Sequence, residues 1–300
     1  MRKHDRSFFY KYLSFDTALR VVESKRFQWS SPVNFNDPFD HQAGFSLEIE
    51  KEEFARLLTE SIERVIFSDE AISVQPQSMF AALTIQMRAI RHRLNRDEIM
   101  KQLRGASLQV ADNLHAHFSQ LNQTVHVQLF QSRVFCVTEL HDNVVMWSHY
   151  AEEHKGVVLK LACIDEIDNT LLAARKVKYS DRFISFPSAE VYAKHLTGEA
   201  PIDFVSLCWD IAFTKHVDWS YEREWRVHLA LPQGSPGDGY SLYDEDPRVF
   251  QAAYLGCRMD EAHQRQIVAT IRKEIPAMEI YMARKSSTNF GLSFHRIIPD

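Results

Sequence analysis

The side chains best suited to chemistry lie in Ser220-Tyr221-Glu222-Arg223-Glu224-Trp225-Arg226-Val227-His228. A strand sends successive side chains to opposite faces. Read as one strand over Ser220–Leu231, the stretch puts Tyr221, Trp225, Val227 and Leu229 on an apolar face and Glu222, Glu224, Arg226 and His228 on a polar one. Two carboxylates at i and i+2 repel: a like charge raises one pKa, and a nearby arginine lowers it. Such crowding is costly unless a cation or a reaction uses it, so Glu222, Glu224 and Arg226 are the candidate catalytic residues. The plainer alternative is an exposed strand face with Glu–Arg cross-strand pairs, worth roughly 0.2–1 kcal/mol each.

Two other clusters carry polar chemistry. Met146-Trp147-Ser148-His149-Tyr150-Ala151 is followed by His154-Lys155-Gly156. His149 and His154 are five apart, not the i, i+4 spacing of a helical zinc pair, and no H-E-x-x-H is present, so no metal site is expected there. The cluster reads as a helix end that packs Trp147 and offers His149 and Tyr150 to a cleft, or as a hydrogen-bonded histidine in the scaffold. Asn34, Asn36, Asp37 and Asp40 crowd one loop. Hard oxygens of this kind could hold Mg²⁺ or Ca²⁺, but Asn and Asp more commonly bond their own backbone in tight turns.

The elements that must position these groups are readable from periodicity. Phe8–Tyr12 and Arg26–Ser30 read as strands around a helix that Asp16 could cap. Ser31–Asp40, with two prolines and four Asn/Asp residues, must be a turn-rich loop. Residues 50–122 differ in kind: Glu52–Phe67, Met79–Leu94 and Asp97–Leu121 have apolar residues at helical spacing. Strands are expected at Gln131–Thr138, Gly156–Leu161, Lys176–Tyr179, Ala252–Leu255, Glu279–Ala283 and Leu292–His295. Helices are expected at Val144–Tyr150, Glu190–Leu196, Phe204–Phe213 and Glu261–Glu274, and an exposed loop at Gln233–Gly239. Together these predict a single α+β domain over 1–300, with a mixed β-sheet core and a helical insertion over 50–122.

Composition narrows the class. The chain has 300 residues, 45% hydrophobic and 25% charged, as in an ordinary globular protein. No run of about 18 apolar residues occurs, so no membrane contact is expected. The four cysteines are widely spaced and read as thiols in a reducing compartment, and the protein is expected to be cytoplasmic. A net charge of −5 argues against a broad nucleic-acid footprint. The segment 88–104 is an exception: Arg88, Arg91, Arg93, Arg96, Lys101 and Arg104 stand against Asp97 and Glu98. It reads as a solvated helix face or as a contact for a nucleic acid or protein acceptor. No G-x-G-x-x-G and no G-x-x-x-x-G-K-[ST] occurs, so phosphate cradling by a glycine-rich loop is not supported.

Several segments taken in order carry a family signature: Tyr10-Lys11-Tyr12, Ser31-Pro32, Phe35-Asn36-Asp37-Pro38-Phe39-Asp40, Met146 to Ala151, His154-Lys155-Gly156, and Tyr221-Glu222-x-Glu224-Trp225-Arg226. In this the chain resembles a bacterial family, the domain of unknown function 2971, over roughly Phe8 to Met282. A second resemblance is to arginine-directed ADP-ribosyltransferases. Glu222-Arg223-Glu224 looks like their E-x-E element, whose second glutamate is catalytic. Tyr10-Lys11-Tyr12 and Trp29-Ser30-Ser31 echo their other two elements.

That second resemblance implies a β-sheet core that is split, an NAD-binding cleft, with NAD as substrate, and a transferase of the kind found among toxins and phage-defence effectors. Transfer of ADP-ribose runs through a cation-like ribose, as in glycosidases. By the resemblance Glu224 would bond the ribose 2′-hydroxyl and Glu222 would orient or deprotonate the acceptor. Lys11 would meet the pyrophosphate, and Tyr10 or Trp29 would stack on the nicotinamide. Tyr12, Ser30, Asn36, Asp37, Trp147, His149 and Tyr150 complete the expected nucleotide-binding set. Two alternatives from other classes remain: Mg²⁺ held by Asp37, Asp40, Glu222 and Glu224 for phosphodiester hydrolysis, and a non-enzymatic module that binds a ligand or partner protein.

Overall fold

The computed structural model describes residues 2–41, 44–46, 48–70, 73–75, 79–232, 235 and 239–298. The loop expected over Gln233–Gly239 lies mostly outside the described residues.

The chain opens with β1 (Phe8–Leu13), α1 (Phe15–Ser24) and β2 (Arg26–Ser30). Ser14, not Asp16, caps α1: its side-chain oxygen accepts from the Thr17 N–H. Asp16 sits in the first turn, where a carboxylate complements the helix dipole. Four helices follow: α2 (Lys51–Phe67), α3 (Met79–Ala89), α4 (Arg96–Asp112) and α5 (Leu114–Phe130). The single helix expected over Asp97–Leu121 is therefore broken at Asn113, which follows the last turn of α4. Then come β3 (Ser132–Thr138), α6 (Val144–Tyr150), β4 (Val157–Ala162), β5 (Arg175–Lys176), β6 (Lys178–Ser180), α7 (Ala189–Leu196) and α8 (Phe204–Ala212). The last part holds β7 (Thr214–His216), β8 (Glu224–Ala230), β9 (Tyr240–Asp244), β10 (Phe250–Leu255), α9 (Glu261–Glu274), β11 (Glu279–Lys285) and β12 (Leu292–Arg296).

The fold is mixed α+β, as expected. Its contacts divide the chain into two compact units, one of residues 1–41, 128–181 and 213–300 and one of residues 42–127 and 182–212. The helices expected over 50–122 thus share a unit with 182–212, which includes α7 and α8.

The first unit is built on a ten-stranded sheet. Its main path runs β12-β11-β10-β4-β1-β3-β2-β9, with β8 paired to the other side of β3 and β5 beyond it. β10 and β11 are parallel, and the other pairs of this sheet are antiparallel. One face buries Phe9, Phe27, Phe135, Leu159 and Leu161 with Val22 of α1 and Ile267 and Ile271 of α9. The other face gathers Tyr10, Tyr12, Val158 and Tyr254 against Met146 and Trp147 of α6. β9 had no counterpart among the expected strands. Its short alternating run Tyr240–Asp244 becomes a strand by pairing residue for residue with β2.

A split in this sheet makes room for the site. β1 and β3 share one register pair, Tyr10↔Thr138, and then part, with β3 meeting β2 at Ser30↔Val134. Across the split Lys11 Nζ donates to the Cys136 carbonyl at 2.7 Å, supplying a donor where the ladder provides none.

In the second unit α2 packs against α3, α4 and α7. Phe54, Leu58, Ile62, Val65 and Ile66 are buried at the predicted helical spacing. The basic segment is partly spoken for here. Arg88 donates to the Val65 and Glu70 carbonyls and Arg91 to the Ser68 carbonyl, so arginines satisfy groups at and just beyond the α2 C-terminus. Arg96 pairs with Glu63 at 2.6 Å. Arg93, Lys101 and Arg104 stay exposed.

Candidate active site

The strand expected over Ser220–Leu231 begins only at Glu224. Val217–Glu222 form a 3-10 turn, and Arg223 takes a left-handed conformation with φ 44°. Glu222 therefore reaches the site from a turn and Glu224 from the first position of β8. From Glu224 onward the predicted alternation holds: Trp225 and Val227 join the apolar core, while Glu224 and Arg226 point to the other face. That face is not exposed. Glu222, Glu224 and Arg226 are 3%, 5% and 0% accessible, which removes the reading of a solvated strand laced with surface pairs.

What buries them is an ion cluster. Arg226 forks twice: Nε and one terminal nitrogen bond Glu224 at 2.7 and 2.9 Å, and its terminal nitrogens bond both oxygens of Asp40 at 2.8 and 2.6 Å. The planar guanidinium suits two bidentate partners, as a point charge would not. Lys215 of β7 supplies the second cation, 2.7 Å from Glu222, 3.3 Å from Glu224 and 3.8 Å from Asp40. Tyr150 donates to the other Glu222 oxygen at 2.5 Å, and His41 Nδ1 lies 2.9 Å from Asp40. The Glu224 backbone N–H is received by Tyr179 at 2.8 Å.

Three carboxylates thus face two cations, and their proton affinities separate. Burial pushes the Glu224 carboxyl up, but the Arg226 and Lys215 charges outweigh it and bring it down to about 2. Asp40 follows the same pattern, with burial outweighed by Arg226 and His41. Glu222 goes the other way: burial and then the adjacent Glu224 charge raise it, against partial relief from Lys215 and Tyr150. Burial lowers Lys11 toward its neutral form.

The cluster opens onto a cavity of about 280 Å³. It is lined by Tyr10, Lys11 and Tyr12 of β1, Asn34–Asn36 and Asp40 of the loop, Cys136–Thr138 of β3, Met146 and Tyr150 of α6, and Lys215, Glu222 and Glu224. Ligand pockets commonly run to roughly 300–1,000 Å³, so this one suits a ring and a sugar rather than a whole dinucleotide.

Of the expected residues, the cavity brings together Tyr10, Lys11, Tyr12, Asn36, Tyr150, Glu222 and Glu224. Arg226 stands behind Glu224. Trp29 packs in the core against Phe135 and Tyr243, so its ring is not offered to a ligand. Ser30 sits at the β2 end of the ladder, outside the lining. Asp37 is buried in its own turn, where it receives the Phe39 N–H at 2.9 Å. Trp147 lies buried on α6 with its indole N–H on the His141 carbonyl, and His149 approaches the Tyr221 hydroxyl at 3.3 Å. Lys11 contacts a carbonyl and the Phe135 ring rather than standing as a free cation for a pyrophosphate.

Lys215, His41 and Tyr179 were absent from the expected set. Their strongest signal was a deficit: three acids on one arginine demand a second cation, but nothing near Glu222 in the sequence says which. No curated protein and no solved structure matches the chain. Residues 146–227, which carry Met146-Trp147, His154-Lys155-Gly156 and Tyr221 to Arg226, match the family model described as protein of unknown function (DUF2971), the family those motifs resemble.

Proposed function

We propose that this cavity receives the nicotinamide–ribose end of NAD⁺ and that the protein transfers ADP-ribose to an acceptor. The observation that carries the reading is geometric: Glu222 and Glu224 share the Lys215 ammonium in the wall of one cavity, Glu224 gripped in addition by Arg226 and Glu222 by the Tyr150 hydroxyl, so that their proton affinities move apart. Pairs separated in this way divide acid–base from electrostatic work in glycosyl chemistry. Glu224, held ionised, stabilises positive charge as the bond from the ribose anomeric carbon to the nicotinamide nitrogen breaks and the electron pair leaves with nicotinamide. The acceptor then bonds to that carbon, and its proton passes to Glu222. Beside the cavity three carboxyl groups, Asp40, Glu222 and Glu224, stand against the two cations Lys215 and Arg226, an acid-rich wall suited to a cationic ring or ribose. Tyr10 and Tyr12 give the aromatic wall.

The exposed Arg93, Lys101 and Arg104 are the remaining candidates for contact with a nucleic-acid or protein acceptor. Mg²⁺-dependent hydrolysis fits less well, because Arg226 and Lys215 already occupy the oxygens of Asp40, Glu222 and Glu224 that a metal would need.

The test is release of nicotinamide from NAD⁺ by the full chain, with and without EDTA. EDTA-insensitive release that falls by on the order of 10²–10³ in Glu224→Gln is expected. No NAD⁺ binding by calorimetry and no release, from a folded protein, would sink the proposal. In a role as toxin or phage-defence effector, expression of the wild type slows growth and Glu224→Gln relieves it.

A further inference from the structure

Helix α6 separates two cavities. Met146 and Tyr150 line the candidate active site, whereas Val144 lines a second cavity of about 640 Å³ bounded by His154, Cys257, Arg258 and the β11–β12 turn. The second differs in charge from the first. Arg258 and Lys285 are in its wall with His154 and the hydroxyl-bearing Ser287 and Thr288, and no carboxylate lines it among the described residues. Arg258 also faces the Glu153 carboxylate, outside the lining, at 3.8 Å.

The backbone is held in a demanding conformation to present His154. Glu152, Glu153 and His154 have φ of 49°, 53° and 69°, three successive non-glycine residues in the left-handed region. The turn is tied by the His154 N–H to the Trp147 carbonyl at 3.1 Å and by the Arg258 N–H to the His154 carbonyl at 3.0 Å. Gly256 is required beneath it, since a Cβ there would lie 2.1 Å from the His154 carbonyl oxygen. His154 Nε2 is 3.1 Å from the Ser148 hydroxyl, and the charges of Arg258 and Lys285 both act on its ring.

We propose that this second cavity binds a phosphate-bearing group, with Arg258 and Lys285 as counter-charges, the Ser287 and Thr288 hydroxyls as hydrogen-bond donors, and His154 in the wall beside them. Two cations, hydroxyl donors and a concave wall without carboxylates are the chemistry that recognises phosphate esters. That the cavity takes a phosphate does not depend on the NAD⁺ assignment, whereas the source of that phosphate rests on it; Val144 of α6 lines this cavity and Met146 and Tyr150 line the first. The phosphate is either that of the same nucleotide or that of the acceptor.

The probe is inorganic pyrophosphate, titrated into the full chain and followed by calorimetry and by the His154 imidazole resonances. Saturable binding is expected, at least tenfold weaker in the Arg258→Gln/Lys285→Gln variant and unchanged in Glu224→Gln. The His154 titration moves upward as the anion binds, because a negative neighbour favours the imidazolium. Once calorimetry shows NAD⁺ bound to the full chain, its competition with pyrophosphate identifies the phosphates as the nucleotide's own and its failure to compete identifies them as the acceptor's. Absence of saturable binding, or equal binding by the double variant, overturns the proposal. Both replaced side chains are exposed, so the variant retains the fold.

Discussion

The same residue types do different work in the two units. In the helical unit Arg56–Glu60 and Arg96–Glu63 are exposed pairs. Water screens such pairs, and holding two long side chains together costs entropy, leaving each near zero in net stability. In the sheet unit Arg226, Glu224 and Asp40 are 0%, 7% and 2% accessible in their side chains, and the pairing is obligatory. Taking ions out of water costs several kcal/mol each, so the cluster tolerates no vacancy among its partners. Burial, not the identity of the pair, decides whether an arginine–glutamate contact is decoration or a constraint on proton affinity.

The sharpest way to break this contrast is Arg226→Met, which leaves three carboxylates against Lys215 alone. It is expected to cost about 3–5 kcal/mol of unfolding free energy, read from urea denaturation. A loss below 1 kcal/mol would place Arg226 with the surface pairs.

Acidification comes next. Glu224 is lowered to about 2, so its stabilisation is present above the ordinary glutamate pKa and is lost as pH falls through about 2. His228 is lowered to about 3, chiefly by burial, and burial lowers His41 as well. A depressed histidine resists protonation when folded, so stability declines as pH drops below the ordinary histidine pKa of 6.5. Glu222, raised, has the opposite sign: it favours the fold at low pH, and that benefit is lost as pH rises through its elevated value. The histidines act first on acidification, so urea midpoints fall from pH 7 to pH 5. A flat profile across that interval would contradict the neutral buried imidazoles.

A smaller effect separates the two glutamates. Tyr150→Phe removes a hydrogen bond to the charged form of Glu222 and moves its titration further upward. In NAD⁺ turnover this shifts the acidic limb of kcat/KM to higher pH without moving the Glu224 contribution. A limb left where it was would remove Glu222 as the base. The smallest expected effect is Arg96→Gln in the helical unit, about 0–1 kcal/mol and diminished by salt. A cost approaching that of Arg226→Met would erase the difference between the two regions.

Local pattern carried a large part of this protein. Period-two alternation put Glu224 and Arg226 on one face and Trp225 and Val227 on the other. Helical spacing located the buried Phe54–Ile66 face of α2. These followed because they depend on neighbours within a turn or a strand. The end of the strand before Glu224, the pairing that makes β9, the withdrawal of Trp29 into the core and the choice of Lys215 as second cation did not follow. Each is decided by how elements meet in space: β2 completes β9, and β7 brings the Lys215 ammonium to Glu222 and Glu224 where Asp40, from the far end of the chain, joins the same cluster. The amino-acid order determined which groups share a face. Only the tertiary structure decided that the face is buried, because desolvation and ion pairing depend on what the rest of the chain lays over it.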